Sequence, residues 1–228
     1  MSSIGSNGSV FSILLNCYTD FVKQVGILDG KIINATTSDT EFLSINKRSK
    51  PTNLNPGVAL VRFQLMEILM RLAFKKYDET KEAASKAEAI KLLYEKNLVP
   101  FYGHLNPQKW RDERYWNEEV DNVLKSHFPI FDKVYKQFGC HYLKPGDKPF
   151  MMVDEFESIF VASGLINDNF VGRECYISFN MAMMVQVDEL NKDRHLKAIF
   201  IEFLEAFCRA CDKMSLPPPF EEGVSPPL

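Results

Sequence analysis

Apolar residues recur along this chain with the period of an α-helix. From Val10 to Val25, the residues Phe11, Leu14, Leu15, Tyr18, Phe21, Val22 and Val25 fall at i, i+3, i+4, i+7 spacing, which predicts an amphipathic helix. Gly26 and Asp29-Gly30 end it. Ser38-Asp39-Thr40-Glu41 reads as a capping box opening a short second helix, with Phe42 and Ile45 on its apolar side. Lys47 to Gly57 is loop by composition. In Val58–Tyr77 the apolar residues cover more than one face, so this helix is expected to be deeply buried. Glu79 to Lys96 is rich in Ala, Lys and Glu, a strong helix by propensity with a solvated outer side. After a connector, Asn106-Pro107 opens a polar-aromatic helix carrying Trp110, Tyr115, Trp116, Val120 and Leu124.

The second half reads helix, loop, helix, twice over. His127–Phe138 enters with Phe128, Phe131, Val134, Tyr135 and Phe138, and Gly139–Pro149 is its loop. Val153–Ile166 leaves, capped near Asp154, and Asn167–Gly172 turns the chain. Arg173–Met184 enters again, Val185–Lys197 is loop, and Ile199–Met214 closes the unit. An internal repeat links the halves: Leu65–Ala73 aligns with Phe203–Cys211, each with Glu and Arg at i and i+4. A second match pairs Ser38–Phe42 with Met152–Phe156.

The chain has 228 residues, 46% of them hydrophobic and 25% charged, which suits a folded helical core. A formal net charge of −3 argues against a nucleic-acid binder, which carries a basic stripe. Five Cys without framework spacing suit a reducing compartment. Val10–Cys17 is too short to span a membrane, and no basic residue precedes it as a signal peptide requires. A cytoplasmic protein without membrane contact is expected.

Each outgoing helix of the second half opens on Glu-Phe behind apolar residues: Met151-Met152-Val153-Asp154-Glu155-Phe156 and Ile199-Phe200-Ile201-Glu202-Phe203-Leu204. On these residues His127–Lys213 resembles the EF-hand (calmodulin) superfamily. Asp168-Asn169-Phe170, Phe179-Asn180-Met181-Ala182-Met183-Met184, Gln186–Asn191 and Arg194-His195-Leu196 look like EF-hand-like proteins of protists with motile cilia. Asn55–Phe63 and Glu67–Ala73 are similar in texture. The resemblance implies an all-α fold of two EF-hand-like helix–loop–helix lobes joined by connecting helices, with a Pro-rich C-terminal tail. The divisions are a flexible N-terminus (1–9), an N-terminal lobe (10–77), connecting helices (78–126), a degenerate EF-hand pair (127–214) and the tail (215–228).

An EF-hand loop binds calcium through oxygens at positions 1, 3, 5, 7, 9 and 12, with Gly at 6. With Glu155 at position 12, the first loop has Lys144 and Lys148 where carboxylates belong, so it repels the ion. With Glu202 at position 12, Asn191, Asp193 and Glu202 could ligate, but His195 and Leu196 hold positions 5 and 6. Aligning Gln64 with Glu202 gives a loop with Asn55 and Gly57 but no carboxylate. No metal or other cofactor is therefore expected; the alternative is a calcium sensor using the 191–202 loop.

Cys208-Arg209-Ala210-Cys211 has only Cys140-His141 as a zinc partner and reads as small core residues. The four His are scattered, and there is no Gly-rich phosphate loop. Met151, Met152, Met181, Met183, Met184 and Met214 suit either an adaptable groove or core packing. Trp110 and Trp116 suit packing between the lobes or against a protein partner. The expectation is a non-enzymatic structural protein that takes a partner helix in a hydrophobic groove. By the resemblance it belongs to a cytoskeletal, microtubule-associated assembly of the cilium or axoneme.

Overall fold

The computed structural model describes residues 10–48, 56–102, 108–184 and 193–214. The protein is predominantly helical. It divides into two compact units, Met1–Arg114 with Val187–Arg194, and Tyr115–Gln186 with His195–Leu228. Among the described residues no helix is long and apolar enough to cross a membrane.

In the first unit, α1 (Leu15–Gln24), α2 (Ala35–Arg48) and α3 (Arg62–Ala73) surround Tyr18, Val22, Ile33, Phe42, Ile68 and Leu72, all sealed from solvent. Ile13 and Leu60, each two residues before its helix, form an antiparallel bridge with both N–H···O bonds at 2.8 Å. α3 runs on through a wider turn (Phe74–Asp78). α4 (Lys86–Leu93), a second wide turn (Tyr94–Leu98) and α5 (Val99–Tyr102) then make one continuous rod. Ala89 and Leu93 enter the core from that rod, and its Asn97 donates to the Val25 carbonyl and accepts from the Tyr77 hydroxyl.

The second unit holds α6 (Glu118–Ser126), α7 (Phe128–Phe138), β1 (Met151–Met152), α8 (Val153–Ala162), α9 (Gly172–Ala182), β2 (Lys197–Ala198) and α10 (Phe200–Lys213). β1 and β2 pair antiparallel, Met151 opposite Ala198 and Met152 opposite Lys197. The core is aromatic: Phe156, Phe160, Phe179 and Phe203 are wholly buried. α7 lies on α10, with Tyr135 edge-on to Phe200 at 5.3 Å and Phe131 edge-on to Phe207 at 5.4 Å. The Tyr135 hydroxyl donates to the Ala198 carbonyl.

Several expected boundaries move, for identifiable reasons. α2 begins at Ala35 because the Asn34 side chain accepts from the Thr37 N–H at 2.8 Å. Ser38 is buried and donates instead to the Tyr18 hydroxyl, so no capping box forms there. α1 and α3 start later than the periodicity suggests, because Ile13 and Leu60 are drawn into the bridge. The polar-aromatic stretch is two elements: a wide turn (Arg111–Tyr115), then α6, whose N-cap Asn117 accepts from Val120. α8 ends at Ala162, with Gly164 at φ +68° beyond it. Of the stretch expected to connect the lobes, 78–114 falls in the first unit and 115–126 in the second. The N-terminal lead-in and the Pro-rich tail lie outside the described residues.

Candidate functional site

The four helices that leave a bridge or ladder strand start in one way. Their N-caps are apolar and extended: Leu14 (φ −73°, ψ 159°), Val61 (−87°, 172°), Met152 (−81°, 162°) and Ile199 (−77°, 169°). An apolar N-cap cannot satisfy the helix's first N–H groups, and none of the four makes a side-chain cap bond. The residue three positions on does part of that work by reaching back to the N-cap. It is Gln64 in α3, Glu155 in α8 and Glu202 in α10. In α1 it is Cys17, which has no such acceptor.

The two glutamates go further, and in parallel. Glu155 is 5% exposed; its Oε2 accepts from the Met152 N–H at 2.7 Å, and its Oε1 from the His141 N–H at 2.8 Å, with His141 Nδ1 at 2.9 Å. Glu202 is 2% exposed; its Oε2 accepts from the Ile199 N–H at 3.0 Å and its Oε1 from the Met184 N–H at 3.2 Å. Each carboxylate thereby ties the end of an entering segment to the start of a leaving helix. The oxygens that would face a cation in a calcium loop are directed at backbone donors.

The first loop of this unit is shaped by its backbone. Cys140 sits at φ +69° with its N–H on the Phe150 carbonyl, and Gly146 at φ +90° makes the bend. Asp147 accepts from the Lys144 N–H, while Lys144 and Lys148 are exposed. Asp154, expected as the cap of α8, instead accepts from the Tyr142 hydroxyl at 2.9 Å. Of the candidate calcium ligands, Asn191 lies outside the described residues, Asp193 belongs to the first unit, and Glu202 is placed as above. Among the described residues no group of three or more His, Cys, Asp or Glu side chains gathers around a metal position.

The candidate partner-binding residues are dispersed. Met151 is wholly buried opposite Ala198 and is a core residue. Met152 is half-buried at the α8 N-cap. Met181 and Met184 are exposed at the end of α9. Trp110 is half-buried in the first unit, and Trp116 is exposed in the second. Cys208 and Cys211 lie on α10 as free thiols, and burial, with Cys211 and Glu205 nearby, pushes the Cys208 thiol up to about 12.

The repeat is longer than its sequence match. Glu67–Arg71 and Glu205–Arg209 are ion pairs on α3 and α10. The correct counterpart of Met152–Phe156 is Leu14–Tyr18, one constant interval upstream, since both run from N-cap into the core. Ser38–Phe42 lies inside α2 and does not correspond. Tyr18 meets Phe42 at 5.3 Å as Phe156 meets Phe179 at 5.8 Å. After α1 and α8 the turns agree too: Gly26 at φ +66° with Ile27 N–H on the Val22 carbonyl, and Gly164 at φ +68° with Leu165 N–H on the Phe160 carbonyl. Sliding the chain against itself at that interval would have exposed the Cys17 position. Comparison with protein-family models, with curated proteins and with solved structures finds no match.

Proposed function

We propose that the two units are degenerate EF-hand-like lobes working as a calcium-independent, non-catalytic interaction module in a cytoskeletal assembly. What supports the lobe reading is the antiparallel pairing of the residues just ahead of two leaving helices, met in both units. The observation that carries calcium independence is the engagement of Glu155 and Glu202 with loop N–H groups. A carboxylate so held gives up two charge-assisted hydrogen bonds before it can ligate. Lys144 and Lys148 in the first loop, and Cys17 and Gln64 in the first unit, favour the same reading. The ciliary or axonemal setting rests on the sequence resemblance alone.

A calorimetric calcium titration of the whole chain at physiological salt tests the proposal, with Glu202→Gln as control. No binding heat is expected for either protein. Micromolar binding that vanishes in Glu202→Gln would replace this reading with that of a sensor with one working hand.

A further inference from the structure

We draw no further inference here: the strongest candidate, the cavity of about 210 Å³ in the first unit lined by Ile13, Cys17, Phe21, Leu65 and Tyr102, carries nothing, because nothing in the structure shows what covers that apolar face.

Discussion

Glu155 and Glu202 show one side-chain type tying a loop to the start of a helix. Each accepts from its N-cap and from a loop N–H while almost fully buried. Removing such an acceptor leaves buried donors unpaired, a loss of about 1–3 kcal/mol. Glu202→Ala is therefore expected to lower the unfolding free energy by that amount, read as a lower urea midpoint. Glu202→Gln should lose less, because Gln64 makes the N-cap bond at the equivalent place with an amide. Equal midpoints for Glu202→Ala and the wild type would refute this account. Lys76 is the corresponding lock in the first unit: its ammonium donates to the Gly26 and Ile27 carbonyls and to Asp29 at 2.9–3.1 Å. Burial alone would raise the Asp29 carboxyl, but Lys76 and the N–H groups of Ile33, Ile32 and Lys31 hold it well below the usual range. A folded-state pKa lowered in this way adds stability above the unfolded value of about 3.9. That stability is lost as pH falls below it. The gap in urea midpoint between wild type and Asp29→Asn should accordingly shrink from pH 7 to pH 3; a gap that widens would contradict the assignment.

At the scale of elements, tight junctions decide where helices stop. Gly139 ends α7, and a Cβ there would lie 2.7 Å from the Tyr135 carbonyl oxygen and 3.2 Å from Met151. Backbone cannot yield as a flexible side chain can, so Gly139→Ala is expected to cost about 1–3 kcal/mol. Thermal unfolding would read this as a lowered midpoint, and an unchanged midpoint would show that the α7 end relaxes freely. Gly172 contrasts with it, because its nearest neighbour is the movable Glu157 carboxylate. The kink between α6 and α7 follows from sequence: His127 closes one helix and opens the next, and Pro129 stands in the first turn. Most helices were legible from periodicity or propensity, whereas α5 (Val99–Tyr102) falls in a stretch that reads as a connector. Helix starts were legible for α8 and α10, expected at Val153 and Ile199, but not for α1 and α3, because the Ile13–Leu60 bridge takes residues that the apolar pattern assigns to helices.

For the whole molecule, the thiols report on packing. Burial, with Glu157 nearby, pushes the Cys175 thiol up to about 12, and Cys208 is pushed equally far. Thiolates are the reactive form, so brief alkylation at pH 8 should leave both unlabelled in the native protein. All five Cys should label in denaturant. Rapid native labelling of Cys175 would mean that α9 does not pack as described. The duplication was half visible in sequence: Leu65–Ala73 against Phe203–Cys211 is correct, and Ser38–Phe42 against Met152–Phe156 is not. The mismatch arose because Glu-Phe closely preceded by Asp, as in Asp39-Thr40-Glu41-Phe42 and Asp154-Glu155-Phe156, recurs on helices of different role, and composition alone cannot mark an N-cap.

By itself the sequence determined the helical class, the place of most helices, the two cations in the first calcium-like loop, and the Glu–Arg pairs on α3 and α10. These follow from local periodicity and residue chemistry, which need no partner distant in the chain. Only the tertiary structure decided that Glu155 and Glu202 hold loop backbone, that Met151 is core, and that Lys76 locks the α1–α2 turn. Each of those depends on residues far apart in sequence being brought within a few ångströms, and nothing in the local pattern encodes that distance.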